Sequence, residues 1–500
     1  MTSLGPDRFY ITTAIDYPNG APHIGHAYEK IVADAYARWH RYLGDEVFFV
    51  TGTDENGQKL QQAAKDADLE PAAFVEQNQQ RFRELFAATD VSYSDFIRTS
   101  SARNIRVVRS FWQKMVEVGD IYFDRYKGNY CLACETFYAD SQAADLICPV
   151  HMTPLKYMEE EGYFFKLSKY QAQLIDIITN RPDFLFPKSV RSEMLSRLES
   201  EKLLDLSISR RNTGWGIPVP DDPKHVIYTW YDALISYYAA TCYDDVDQPI
   251  VSPSWWPAAM HVIGKDISWF HAVIWPAMLL SVGQPLPKQI YVHGMILGAD
   301  GRRMSKSLGN GVDPVECLAS FAVDTFRYFM LKAVPSGQDA AFGIAELVRL
   351  HNSDLANDLG NLLMRTVKLS LKYLGTRIEP VTEIDFQLDL FPAVAKAMEQ
   401  REHHRALGVL WDGVRQLNIY LNEKEPWRNK ADMVQFHRVM YTALVNLRTI
   451  LRLLAPFLPS SAAKALATLG REGAAEAFDA PSSGVLLLQE SAVLFPRYEM

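Results

Sequence analysis

The sequence predicts an α/β protein: a parallel, doubly wound sheet, interrupted by a small metal-binding insert and followed by a bundle of helices. Three observations predict it. Apolar, β-branched runs alternate with helical patterns over the first 120 residues, the layout of a parallel sheet. Two tight pairs of cysteine and histidine break that alternation between residues 131 and 151. Past Asp313 the apolar residues recur with helical period, as in a bundle.

Phe9 to Ala14 is the first strand. It stops at a turn of Asp, Pro, Asn and Gly, and His23, Ile24, Gly25 and His26 precede a helical pattern from Ala27 to Tyr42. Strand, tight turn and helix N-terminus is a layout that places anions on unpaired backbone N–H groups. Two imidazoles add donors, and a glycine adds room for a nucleotide. The same residues also suit two capping histidines before an ordinary helix, and the stretch by itself leaves both open. Glu46 to Thr51 is a second, nearly all-apolar strand, as expected for one buried on both faces. It runs into Gly52 to Gly57, a polar loop at the strand end where open parallel sheets bind ligands. There Asp54 is either a turn former or a carboxylate facing a cation or ammonium. Residues 71 to 119 carry two more helical patterns, separated by Phe96 to Ser100.

The insert has the spacing C-x2-C-x13-C-x2-H, from Cys131, Cys134, Cys148 and His151. Three thiolates and one imidazole close a tetrahedral sphere, which predicts a structural zinc site rather than a catalytic one. Coincidental cysteines are the alternative. With Cys242 and Cys317 the chain has five cysteines. The odd count and the clustering argue against a disulfide framework and for a reducing compartment.

From Tyr163 to Leu206 the pattern is mixed. The sheet is expected to resume with His225 to Thr229, then Met260 to Ile263, and to end with Tyr291 to Leu297. Trp230 and Tyr237 lie seven apart and share a helix face, in a core or lining a pocket. Gly264, Lys265 and Asp266 lead into a helix bearing Trp269, Phe270 and His271. After the last strand comes GADGRRMSKSLGN, a cationic loop with Arg302, Arg303, Ser305 and Lys306. Such a loop can close over a polyphosphate, or it can be a solvated surface loop. Asp313 is a helix cap with Pro314 at the first helical position. Helices are expected through Val348 to Tyr373, Val394 to Tyr420 and Val434 to Leu454, with a tail from Gly470 that packs back on the body.

Five hundred residues exceed one ordinary core. No apolar run is long enough to span a membrane, and no signal peptide opens the chain. The net charge of −9 gives no hint of nucleic-acid binding, although a basic groove can sit on an acidic protein.

HIGH (His23 to His26) and RMSKS (Arg303 to Ser307), in that order, resemble the two signatures of class I aminoacyl-tRNA synthetases. AIDYPNGAPHIGH, TGTDENG, the knuckle, SISR before WGIP, YTWYDALISY, IGKDISWFH, DLGNLLMR and EKEPW resemble the methionyl-tRNA synthetase family. The resemblance covers about Phe9 to Pro459. It implies a class I Rossmann-like sheet whose first half is residues 1–120 and second half, with the RMSKS loop, 207–312. It implies an inserted connective region with the zinc knuckle at 121–206, stem-contact linker helices at 313–344, and an α-helical anticodon-binding domain at 345–500. The implied function is methionine–tRNA ligase: L-methionine and ATP give methionyl-adenylate and pyrophosphate. Methionine then passes to the 3′-terminal ribose of tRNA(Met), initiator and elongator, in the cytoplasm.

Carried over position by position, the resemblance implies that His23, Gly25, His26, Arg303, Ser305 and Lys306 bind ATP. Among these His23, His26 and Lys306 act in catalysis, with Mg2+ on the phosphates. Ala14, Ile15, Tyr17, Trp230, Leu234, Tyr237, Phe270 and His271 would enclose the thioether, and Asp54 would take the ammonium. Arg210 and Asp266 would form a buried pair beneath the site. Asn361, Arg365 and Trp427 would read the anticodon, where Asn361 and Trp427 also suit a helix end and an ordinary bundle aromatic. Zinc would sit on Cys131, Cys134, Cys148 and His151. Arg303 stands where lysine is commonest, and Asp16 is an unusual neighbour for the pocket. No tRNA-binding or dimerising module follows the bundle, which predicts a monomer. Synthetases for leucine, isoleucine, valine or cysteine, a non-catalytic RNA-binding relative and a small-molecule nucleotidylyltransferase are the rivals. The first three of those synthetases carry a long editing insertion that this interval lacks, and the cysteine enzymes bind substrate on an open zinc.

Overall fold

The structure, a computed structural model, describes residues 7–131, 136–138, 146–148, 153–242, 255–304, 310–428, 431–471, 484–490 and 492–499. The first unit runs β1 (Arg8–Thr13), α1 (Ile24–Tyr42), β2 (Glu46–Thr53), α2 (Gln58–Asp66), α3 (Pro71–Ala88), β3 (Asp95–Arg98) and α4 (Ala102–Glu117). β4 (Ile121–Cys131), β5 (Thr136–Tyr138) and β6 (Lys156–Phe165) lead into α5 (Gln171–Asn180), β7 (Leu185–Phe186), α6 (Lys188–Ser200) and β8 (Leu206–Ser207). Next come β9 (Ser209–Arg211), β10 (Pro218–Val219), β11 (Asp222–Ile227), α7 (Thr229–Ala239), β12 (Met260–Gly264), α8 (Trp275–Ser281) and β13 (Ile290–His293).

The principal sheet has the order β3-β2-β1-β12-β13-β7 and every pairing in it is parallel. Its strand order reverses between β1 and β12, which opens a crevice at the strands' C-terminal ends. Two expectations need correction. β11 does not rejoin this sheet: it pairs antiparallel with β9 and β10. Its first four residues are partly or fully exposed and only the last two are buried, the pattern of a strand with one wet face. β7, inside the stretch read as an insert over 121–206, extends the principal sheet beside β13. β4, β5, β6 and β8 do form a separate antiparallel sheet.

The expected last strand, Tyr291 to Leu297, is broken at Gly294. A Cβ there would lie 2.0 Å from the Gln338 carbonyl oxygen, so only glycine admits the crossing chain. β14 (Ile296–Leu297) pairs instead with β15 (Ala340–Ala341), between which lie α9 (Pro314–Ser320) and α10 (Val323–Ala333). Asp313 caps α9, its carboxylate accepting the Val315 N–H.

α11 (Ile344–Leu350) passes through a π-helical stretch, His351–Gly360, into α12 (Asn361–Leu374), then β16 (Arg377–Ile378). The single helix expected over Val394 to Tyr420 is two, α13 (Phe391–Glu399) and α14 (His403–Lys424). They part at Arg401, whose φ of 64° is left-handed and cannot continue a helix. α15 (Met433–Leu454), α16 (Pro459–Thr468), β17 (Leu469–Arg471) and β18 (Leu486–Leu488) complete the bundle. The tail packs back as expected: Phe495 is buried, and Asn352 and Tyr498 exchange hydrogen bonds. One apolar core runs from α1 into the bundle, with Trp39 stacked on Phe391. No helix among the described residues is long and apolar enough to cross a membrane.

Candidate active site

The crevice lies where the ends of β1, β2 and β12 meet. Ala14 follows β1 and donates its N–H to the Val262 carbonyl of β12 (3.1 Å), while Asp16 joins β2 through Gly52 (2.9 Å) and Asp54 (2.8 Å). α1 starts here. The His23 N–H donates to His26 Nδ1 (3.0 Å), and the Gly25 N–H donates to His23 Nδ1 (3.1 Å). Both rings therefore accept at Nδ1, which leaves the proton of each neutral imidazole on Nε2. The rings stack at 3.7 Å. Burial lowers the pKa of both, aided by Lys30 for His23 and by His23 and Lys30 for His26, so the pair is neutral. A Cβ on Gly25 would press on the His23 ring at 3.0 Å, so glycine permits this fold of the motif.

α7 brings Trp230, Leu234 and Tyr237 to one face. Trp230 stacks on Phe270 at 3.9 Å. His271 Nδ1 lies 3.0 Å from the Ile267 carbonyl, which can only accept. Nδ1 thus carries the proton, and the Tyr237 hydroxyl donates to His271 Nε2 at 2.8 Å. Burial holds the His271 pKa down at about 4 and raises that of Tyr237 well above its usual value, so neither ionises near neutrality. Asp54, buried, accepts from the Thr229 hydroxyl at 2.9 and 3.1 Å. Tyr17 accepts the Leu60 N–H at 3.1 Å. Ala14 and Leu234 belong to one core cluster, with Ile15 and Phe270 packed against it. An aromatic cluster with a buried carboxylate beside it has the chemistry to take a small apolar ligand bearing a cation.

The family model described as tRNA synthetases class I (M) matches residues 9–154 and 147–367. The methionine–tRNA ligase of Brucella suis is 40% identical over 99% of this chain and 99% of its own. That of Bacillus subtilis is 39% identical over 99% of this chain and 78% of its own. The chain belongs to the methionyl-tRNA synthetase family. Among solved structures, the Mycobacterium tuberculosis methionyl-tRNA synthetase in complex with methionyl-adenylate superposes with a TM-score of 0.92 at 37% identity, covering 98% of this chain and all of that one.

In this synthetase the expected Arg210–Asp266 pair does not form. Arg210 is buried but turns to the carbonyls of Ser207 (3.5 Å) and Ser209 (2.6 Å), with its guanidinium over the Tyr228 ring. Asp266 is exposed, at the crevice rim, where its charge raises the pKa of His23 and of His271. The guanidinium takes carbonyls of its own strand region rather than Asp266, which its sequence spacing could not reveal. Of the cationic loop, Arg303 is exposed and pairs through its backbone with Leu297. Ser305 and Lys306 lie outside the described residues.

Cys134 and His151 also lie outside them. Cys131 and Cys148 are both buried and converge on Thr153: the Cys148 N–H donates to its carbonyl (2.8 Å), and Cys131 Sγ is 3.9 Å from its hydroxyl. Two of the four expected ligands are thus both buried next to Thr153, although no group of three or more ligands occurs among the described residues. In the bundle, Arg365 lies over Trp427 at 5.0 Å and donates to Asn422 (3.2 Å) and Asn418 (3.4 Å). Asn361 is one turn before Arg365 on α12 and is exposed.

Sequence reasoning missed Lys30. Four residues after His26 in a helix, it reads as a solvated face, yet it is wholly buried. It donates to Asp16 (2.6 Å), Glu29 (2.8 Å) and the Ala14 carbonyl (3.2 Å), and Glu29 in turn meets His293 Nε2 at 3.0 Å. It also missed Asn56, whose amide bonds Thr99 (3.2 Å) and Asp232 (2.5 Å) behind Asp54. The polar loop after β2 was the available signal.

Proposed function

We infer that this methionine–tRNA ligase runs its chemistry on the residues of the crevice, with His23 and His26 on the phosphates of ATP and the Trp230–Tyr237 face on the methionine side chain. The observation that carries this reading is the pair of Nδ1-locked imidazoles at the start of α1. Each presents Nε2–H as a neutral donor, which suits an anion approaching a helix N-terminus.

The methionine carboxylate is ionised at neutral pH, so its attack on the α-phosphate needs no general base. The work is in-line positioning and neutralisation of charge. Asp54 holds the ammonium, and the recess of Ala14, Ile15, Tyr17, Leu234, Phe270 and His271 holds the thioether. Attack forms the methionyl-adenylate and expels pyrophosphate. His23, His26, Arg303, Ser305 and Lys306 stabilise the charge that moves onto the leaving group, and Gly25 leaves room for the nucleotide. Magnesium bound with ATP supplies further neutralising charge. A terminal ribose hydroxyl of tRNA(Met) then attacks the acyl carbon, and AMP leaves.

Zinc fits the knuckle as a structural ion on Cys131, Cys134, Cys148 and His151. Its support is the burial of both Cys131 and Cys148 against Thr153, together with the spacing of the four ligands. Residues 313–344 link the sheet to an anticodon-binding domain over 345–500, where Arg365 and Asn361 offer hydrogen bonds to unstacked bases and Trp427 a stacking plane.

ATP–pyrophosphate exchange with each amino acid in turn tests the assignment. Methionine is expected to support exchange, and leucine, valine and cysteine are not. Exchange with leucine in place of methionine overturns the pocket reading.

A further inference from the structure

Asp16 stands between Ile15 and Tyr17, yet neither the amino-acid recess nor the phosphate site uses it. Its backbone ties β1 to β2, and its side chain reaches α1. Oδ1 accepts from Lys30 at 2.6 Å and lies 3.8 Å from His26 Nε2. Oδ2 is buried with no hydrogen-bond partner, on a residue only 5% exposed. The His26 proton on offer to a phosphate is the one on Nε2, because Nδ1 is occupied by the His23 N–H. A carboxylate thus sits beside the very donor that an incoming polyphosphate needs.

We propose that Asp16 competes with the ATP phosphates for His26 Nε2–H, held off that atom by Lys30, so that the Asp16 charge limits nucleotide affinity. The proposal rests on reading His26 as a phosphate donor. Two anions that share one donor repel each other, and in a partly dry site water screens them weakly. The same repulsion opposes retention of pyrophosphate, the more highly charged product.

The groups facing Asp16 are His26, Glu29 and Lys30 from α1, Tyr237 from α7 and Asp54 after β2; behind them His23 stacks on His26 and His293 of β13 meets Glu29. Burial pushes the Asp16 carboxyl up to about 7, against the pull of Lys30 and with the help of Glu29. Below that pH the carboxyl carries a proton and does not repel phosphate, and above it the carboxylate does.

The test is calorimetric binding of the magnesium complex of a non-hydrolysable, methylene-bridged ATP analogue to the full chain. Asp16→Asn is expected to tighten binding about five- to fiftyfold at pH 8.5 and clearly less at pH 6. Comparing the two proteins at each pH cancels titration of the analogue itself. Asp16→Ser is expected to act in the same direction, and methionine affinity is expected to stay within twofold in both. In a His26→Asn background the gain from Asp16→Asn is expected to shrink severalfold, to what direct repulsion alone leaves. An analogue affinity unchanged or weakened in both Asp16 variants overturns the proposal. So does a gain that persists in full without the His26 donor. If His26→Asn alone leaves the affinity unchanged, the phosphate-donor reading itself fails.

Discussion

Arg327 places a guanidinium nitrogen 2.7 Å from Asp34 Oδ2, and both side chains are wholly excluded from solvent. Asp34 is on α1, the helix that begins with His23 and His26, and Arg327 is on α10, at the root of the bundle. The same guanidinium donates to the carbonyls of Thr89 (3.0 Å) and Phe457 (3.0 Å). It is a bolt through the junction of sheet and bundle. Arg327→Met is expected to cost about 3–5 kcal/mol, because it removes the fully buried charge partner of Asp34 and leaves two buried carbonyls without their donor. The urea midpoint measures this, and a loss under about 1 kcal/mol would show that Arg38 and Ser92 satisfy Asp34 unaided.

His26 does two jobs with two nitrogens. Nδ1 accepts the His23 N–H, and Nε2, 3.8 Å from Asp16 Oδ1, carries the proton proposed for phosphate. Asparagine reproduces the first and glutamine the second. His26→Asn is expected to keep the melting temperature and lower the exchange rate constant by about two orders of magnitude, the scale of one preorganised donor. His26→Gln is expected to retain more activity and less helix stability. Equal activity in the two variants would sink the division of labour.

Buried neutral histidines make stability depend on pH. His271, held at about 4 against an ordinary 6.5, must stay neutral to accept from Tyr237. A depressed histidine pKa stabilises the fold above pH 6.5, and that stabilisation is lost as pH falls through 6.5 toward 4. At pH 5 this group alone costs ~2 kcal/mol relative to pH 8. Unfolding in urea at the two pH values checks it, with His271→Gln expected to show a drop smaller by that amount. An identical drop in the variant would remove His271 from the account.

Trp427 supports Arg365 and is only partly buried. Trp427→Ala is expected to raise KM for tRNA about tenfold or more, on the scale of one lost base stack, and to leave ATP–pyrophosphate exchange unchanged. Parallel losses in both assays would mean that the ring is structural.

Metal removal separates the knuckle from the crevice. Chelation is expected to release one zinc per chain and to lower the unfolding temperature, since structural zinc binding is folding free energy. Native mass spectrometry that finds no bound metal in the untreated protein would refute the zinc assignment.

Much of this was legible in the strand ends. Phe9 to Ala14 read as a strand because it is an apolar, β-branched run and Glu46 to Thr51 because it is nearly all apolar, and the polar residues beyond Glu46 to Thr51 were expected at the C-terminal edge of a parallel sheet. Trp230 and Tyr237 shared a face because α7 keeps its period, while their meeting with Phe270 and His271 depends on β12 lying beside β1. Arg210 and Asp266 show the limit. Their types fit a buried pair, but a guanidinium takes the nearest acceptors, and in the fold those are strand carbonyls.

The sequence by itself determined the element types, the two signature motifs, the knuckle spacing and, with them, the family. Those are local matters of period, capping and residue chemistry. Only the tertiary structure decided that β11 leaves the sheet while β7 joins it, that Gly294 must let the Gln338 backbone pass, and that Lys30 and Asp34 are buried rather than solvated. A charge on a helix reads as surface until something covers it. What covers Lys30 is the turn after β1 with its Asp16, and what covers Asp34 is Arg327, partners 14 and 293 residues away that no local pattern encodes.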